Sequence, residues 1–155
     1  MVQEKKIRTV NPATGQVLAE YDNMTNEEIK SVIHKSKNAF EEWKKDIGKR
    51  SIFLHNLSAQ LRKDREKLAT IATQEMGKPI KESRLEIDKC AWAVEFYAYN
   101  GELYLSGEPL NSDAIKTMIS YQPLGIIGSI MPWNFPYWQA LRFAAPSMMA
   151  GNTIV

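Results

Sequence analysis

Apolar positions alternate first. Residues 7–22, I-R-T-V-N-P-A-T-G-Q-V-L-A-E-Y-D, hold two extended runs around Asn11-Pro12-Ala13-Thr14-Gly15, a pattern that predicts a short hairpin. The period then lengthens. Thr25 with Glu28 three residues on forms a capping box, and Ile29, Val32, Ile33, Ser36, Phe40 and Trp43 follow at helical spacing, so one stripe is expected to face a core. Gly48 marks the boundary to a second helix carrying Phe53, Leu54, Leu57 and Leu61. Asp64 is placed to cap a third, with Leu68, Ile71 and Ala72 inward and Met76-Gly77 at its end. A longer fourth helix starts after Pro79, with Ile80, Ile87, Ala91, Val94 and Ala98 on one face, and Gly101 and Gly107-Glu108-Pro109 are expected to break it.

From residue 115 the texture changes again. I-K-T-M-I-S-Y-Q-P alternates like a strand, and Gly125-Ile126-Ile127-Gly128-Ser129-Ile130 reads as a strand buried on both faces, as in a parallel sheet. Tyr137 to Ala150 then predicts a helix with Pro136 near its first turn, closed by Gly151-Asn152, before Thr153-Ile154-Val155 open another strand. Strand, crossover helix and strand form the first unit of a doubly wound sheet. The fold class expected is therefore α/β: an N-terminal helical layer plus the start of a Rossmann-like doubly wound parallel sheet that this chain does not complete. The divisions are 1–113 for hairpin and helices, 114–124 for the alternating strand, and 125–155 for strand–helix–strand.

Composition narrows the classes. The 155 residues are 44% hydrophobic and 25% charged, and 20 basic against 18 acidic residues leave a net charge of +2. That balance gives no electrostatic reason to expect nucleic acid or an anionic membrane surface. The opening M-V-Q-E-K-K-I-R lacks the apolar core of a secretory leader. The most apolar tract, 123–155, carries Pro123, Pro132, Pro136, Pro146 and Arg142, whereas crossing lipid takes about 20 mostly apolar residues. The single cysteine, Cys90, excludes an intrachain disulfide and fits a reducing compartment. A cytosolic protein is expected.

Candidate chemistry gathers in I-M-P-W-N-F-P-Y-W-Q-A-L-R, residues 130–142. Ligand sites of open α/β sheets lie outside the carboxyl ends of the strands, where residues 131–136 fall. Two prolines stiffen that loop, so Asn134 can offer amide donors from a fixed mount. Such donors, aimed at a developing oxyanion, contribute about 3–4 kcal/mol each. Asn before a proline at the first helical position is equally a common helix cap. Phe135, Trp138, Gln139 and Arg142 fall at helical spacing on one face. An arginine in an apolar channel suits a carboxylate, and an exposed arginine covering apolar surface has the same sequence signature.

N-P-A-T-G, E-M-G-K-P at 75–79, and above all P-L-G-I-I-G-S-I-M-P-W-N-F-P followed by A-G-N-T-I-V resemble the aldehyde dehydrogenase superfamily in order and spacing across essentially the whole chain. W-Q-A-L-R-F-A-A-P is most similar to its succinate-semialdehyde branch, so the chain resembles an N-terminal part of such an enzyme. The resemblance implies an NAD- or NADP-dependent oxidation of an aldehyde, in which a cysteine thiolate attacks the carbonyl and a glutamate-activated water releases the acid. It implies that Asn134 is the oxyanion-hole amide and that Ile130, Met131, Pro132 and Trp133 lie against the cofactor. It implies too that Phe135, Gln139 and Arg142 line the substrate tunnel, with Arg142 holding a distal carboxylate. The resemblance also implies that the alternating strand before residue 124 belongs to an arm that joins subunits, and hence a homo-oligomer.

The family's Gly-Gln-x-Cys nucleophile block and its glutamate block are not in this sequence. Cys90, between Lys89 and Ala91 in an amphipathic helix, reads as a buried small hydrophobe. His34 and His55 lie on polar helix surfaces, and no metal-ligand spacing or G-x-G-x-x-G is present. The chain alone is thus expected to be inactive. The alternative, from another class, is a non-catalytic homologue that serves as an assembly or binding module.

Overall fold

Residues 6–155 are described by a computed structural model. Residues 1–5, the first five of the eight read above for a leader, lie outside the described residues. The hairpin forms as expected: β1 (Ile7–Val10) pairs antiparallel with β2 (Val17–Tyr21). Its turn closes because Asn11 Oδ1 accepts from Ala13 N at 2.9 Å and Gly15 takes the left-handed conformation, φ +72°.

Four helices follow: α1 (Asn26–Trp43), α2 (Ile47–Lys63), α3 (Arg65–Met76) and α4 (Ile80–Leu105). The Thr25–Glu28 capping box is present in full. The apolar stripe of α1, expected to face a core, is covered only in part: Ile29 and Ile33 are 43% and 47% exposed, while Val32, Ser36, Phe40 and Trp43 are half-buried. The helix meets the rest of the chain at two of these positions, where Trp43 Nε1 donates to Met148 O at 2.9 Å and Thr153 Oγ1 to Ser36 O at 3.2 Å.

The core lies between α2 and α4 and extends to the last helix. Leu54, Leu61, Ile87, Cys90, Val94 and Met149 are buried there, each large aliphatic side chain contributing about 1.5–3 kcal/mol. Two serines let the helices approach closely: Ser51 Oγ donates to Ala98 O at 2.7 Å and Ser58 Oγ to Ala91 O at 2.8 Å. At the rim, Arg65 grips Asp88 through two bonds of 2.7 Å, holding the Asp88 carboxyl below its usual range.

Several boundaries differ from expectation. The α1–α2 break falls at Asp46, whose carboxylate caps α2 through Lys49 N at 3.0 Å; Gly48 lies inside the helix. Asp64 makes no capping bond to α3 and instead accepts from Gln60 Nε2 at 2.6 Å. Phe53 and Ile71, placed inward by spacing, are 45% and 37% exposed. Gly77 does end α3, in the left-handed conformation (φ +79°), and it abuts Pro12, so the N-P-A-T-G and E-M-G-K-P stretches meet. Gly101 does not break α4, which runs on to Leu105. Its missing side chain makes room for Met149.

The alternating 115–123 stretch contributes only β4 (Met118–Ile119), paired antiparallel with β3 (Glu108–Pro109). Then β5 (Ile126–Ile127) leads through a loop into α5 (Pro136–Met149), and β6 (Thr153–Ile154) returns parallel to β5. The expected strand–helix–strand unit is present. Its strands are half-buried rather than buried on both faces: α1 and α5 lie against them, but no third strand pairs with them among the described residues. Asn152 ties the unit together: its Oδ1 accepts from Leu124 N (2.6 Å) and Gly125 N (3.0 Å), and its Nδ2 donates to Ser147 O.

Candidate active site

The loop between β5 and α5 leaves the carboxyl end of its strand, and two prolines bracket its tip. Pro136 occupies the first turn of α5, where its missing N–H costs nothing. The N-cap position is Phe135, which has no side-chain acceptor, so the free donors at the helix start are Tyr137 N and Trp138 N. Both are taken by one atom from another helix. Glu86 Oε1 on α4 accepts each at 2.9 Å, while Glu86 Oε2 accepts from Lys78 Nζ at 2.5 Å. This ion pair is buried, with Lys78 8% and Glu86 4% exposed. The Lys78 ammonium also stands 4.2 Å from the centre of the Phe135 ring.

Asn134 consequently caps nothing. It is exposed, and its side chain makes no hydrogen bond among the described residues. It lines a cavity of about 430 Å³ together with Phe135, Gln139, Trp138, Lys89 and Glu86. Gln139 is half-buried there and its Oε1 has no partner. The Lys89 ammonium lies over the Trp138 ring at 3.9 Å.

Three candidate residues, Asn134, Phe135 and Gln139, are therefore brought together. Arg142 is not among them. It borders a separate cavity of about 240 Å³ with Trp92, Phe96 and Tyr97, and the Trp138 indole forms a wall of both spaces. Arg142 is exposed and makes no ion pair among the described residues. Trp133 and Pro136 face a third cavity, about 310 Å³, between the hairpin and α3. Ile130 is fully exposed, Met131 half-buried and Pro132 exposed. A further cavity, about 590 Å³ beside Trp43, Phe53 and Met148, contains none of these residues.

Sequence spacing missed Glu86 and Lys78. The signal was there in part: Glu86 sits on the α4 stripe with Ser83, Ile87 and Cys90, where a carboxylate needs a partner. Cys90 is fully buried, and burial with the nearby Glu86 charge pushes its thiol up to about 12. It offers no thiolate at neutral pH. No cluster of three metal-ligating side chains occurs among the described residues, and none of the helices described is long and apolar enough to cross a membrane.

A parallel strand–helix–strand unit, packed on a helical layer and carrying its candidate site at the carboxyl end of the first strand, defines an α/β protein of the doubly wound kind. The chain belongs to the aldehyde dehydrogenase family, whose sequence profile matches residues 1–155. It is 40% identical over 147 residues to a probable succinate-semialdehyde dehydrogenase [NADP(+)] of Synechocystis, covering 94% of this chain and 32% of that one. A succinate-semialdehyde dehydrogenase [NADP(+)] of Mycobacterium avium is 36% identical over 151 residues, with the same coverage. The crystal structure of succinic semialdehyde dehydrogenase from Streptococcus pyogenes in complex with NADP+ superposes with a TM-score of 0.91 at 35% identity, covering 95% of this chain and 33% of that one. The chain thus spans about a third of the length of these relatives.

Proposed function

We propose that this chain forms part of a cytosolic, homo-oligomeric NADP- or NAD-dependent dehydrogenase that oxidises an aldehyde bearing a distal carboxylate, with succinate semialdehyde the favoured substrate. Asn134 donates its amide to the oxyanion that forms when a thiolate adds to the aldehyde. The observation that carries this role is that the Asn134 amide is free of helix capping and opens onto a cavity beside Gln139. Phe135 and Gln139 bound the space for the substrate chain. Arg142 receives the distal carboxylate from beyond Trp138, so an acid reaching it passes the indole. Ile130, Met131, Pro132 and Trp133 lie towards the nicotinamide cofactor, which accepts the hydride when bound. The nucleophile is not supplied by this chain, whose sole cysteine is the buried Cys90. The 155 residues alone are inactive on this proposal.

The test is a chimera in which this chain replaces the matching third of the Synechocystis relative. Asn134→Ala should lower its kcat by about 10²–10³. Arg142→Leu should lower kcat/KM for succinate semialdehyde far more than for an uncharged aldehyde of similar length. Equal losses on both substrates would exclude the carboxylate role. Sustained turnover by the unaided 155 residues would overturn the division of labour.

A second reading, a non-catalytic assembly module, draws on the ribbon of β3 and β4. Ile115, Met118, Ile119 and Leu124 are exposed along it and suit a partner surface. On either reading we assign residues 114–124 as the arm.

A further inference from the structure

The start of α5 sets an accounting problem whose solution reaches back to α4. Pro136 brings no N–H, and Gln139 N already bonds Phe135 O at 2.8 Å, which leaves Tyr137 N and Trp138 N to be satisfied. Asparagine is among the strongest helix-capping residues, and Asn134 is the nearest side chain able to serve. It does not serve, because Glu86 Oε1 occupies both donors at 2.9 Å. A carboxylate suits the positive end of a helix dipole better than an amide does.

The carboxylate is itself held. Lys78, directly after the left-handed Gly77 that ends α3, donates to Glu86 Oε2, and the same ammonium lies against the Phe135 ring. One buried pair therefore touches both the ring that follows Asn134 and the first turn of the helix that follows the ring. We infer that Glu86, anchored by Lys78, is the positioning residue of the Asn134 loop: it caps α5 from the neighbouring helix and leaves the Asn134 amide uncommitted. This deepens the dehydrogenase proposal and rests on it, since an uncommitted amide matters where an oxyanion must be met.

The test reads amide signals of the 155-residue chain by two-dimensional NMR and hydrogen exchange, for the wild type, Glu86→Ala, Glu86→Gln, Lys78→Met and Asn134→Ala. Amides in the first turn of a helix exchange quickly unless capped, so protection at Tyr137 and Trp138 is specific to this contact. Glu86→Ala should speed their exchange roughly tenfold relative to the remainder of α5, and shift the Asn134 side-chain amide signals as that residue takes over the cap. Glu86→Gln, which keeps a neutral acceptor, should restore part of the protection, and Asn134→Ala should leave it unchanged. Unchanged exchange at both amides in Glu86→Ala would overturn the inference, as would a uniform loss along α4 and α5. Should Glu86→Ala fail to fold, Glu86→Gln and Lys78→Met read the same two amides, and unchanged exchange in both overturns it equally. None of these signals depends on turnover, so a failure of the dehydrogenase proposal appears only in the chimera.

Discussion

Gly101 and Met149 occupy one space: a Cβ built on Gly101 would stand 2.2 Å from Met149 Cγ and 2.5 Å from its Cε. Met149 is itself 2% exposed and has no room to swing away. Gly101→Ala should therefore destabilise the chain by about 1–2 kcal/mol, an overpacking cost of about 1–3 offset in part by the better helix propensity of alanine. Urea unfolding measures the loss. Gly101→Ala combined with Met149→Ala should cost less than the sum of the two single changes, because the two residues contend for the same volume.

Arg50 is buried without a carboxylate bonded to it. Its Nε donates to Met149 O at 2.9 Å and its Nη1 to Trp43 O and Lys44 O at 3.0 and 3.1 Å, so one guanidinium closes the carboxyl ends of α1 and α5. Burial lowers its pKa, with Asp46 acting in the opposite direction. Lysine cannot reproduce that fork. Arg50→Lys should cost about 2–4 kcal/mol in equilibrium unfolding, with the secondary structure retained by circular dichroism.

Asn134→Ala should change stability by less than about 0.5 kcal/mol, the range for a surface side chain without a structural bond. A capping asparagine would cost about 1 kcal/mol. Thermal melting separates the two cases.

The Cys90 thiol gives stability a pH dependence of known sign. Its pKa is raised in the folded chain, from 9.0 to about 12, so the folded state holds its proton after the unfolded state has released it. The contribution is complete below pH 9 and declines as pH rises towards 12, by about 1.4 kcal/mol per pH unit. Cys90→Ala should flatten that part of the profile relative to the wild type. In the native protein below pH 9, alkylating reagents should leave Cys90 intact, which mass spectrometry can follow.

Elements set by local chemistry were legible in the sequence, among them the Thr25–Glu28 box, the Gly77 terminus and the hairpin around Asn11. Features that depend on the opposite surface were not. Gly101 has the look of a helix breaker, and only the approach of Met149 shows why it stays within α4. The 115–123 alternation was real, but a ladder can be no longer than its shorter strand, and β3 pairs over two residues. At the site, helical spacing set Phe135 and Gln139 on one face with the Asn134 end, and the three line one cavity. It did not separate Arg142, because the bulk of Trp138 between them is a property of packing. Glu86 escaped notice since its partners lie 51 and 52 residues further along.

The β5–β6 ladder is two residues long, Ile126 opposite Thr153 and Ile127 opposite Ile154, too short to choose its own alignment. The Asn152 amide makes that choice from outside the ladder, by holding the backbone just before β5 to the carboxyl end of α5. A slip of one residue would turn every side chain of β5 over and carry the following loop with it. The placement of Asn134 thus depends, beyond Glu86, on a second asparagine eighteen residues downstream on the far side of the helix.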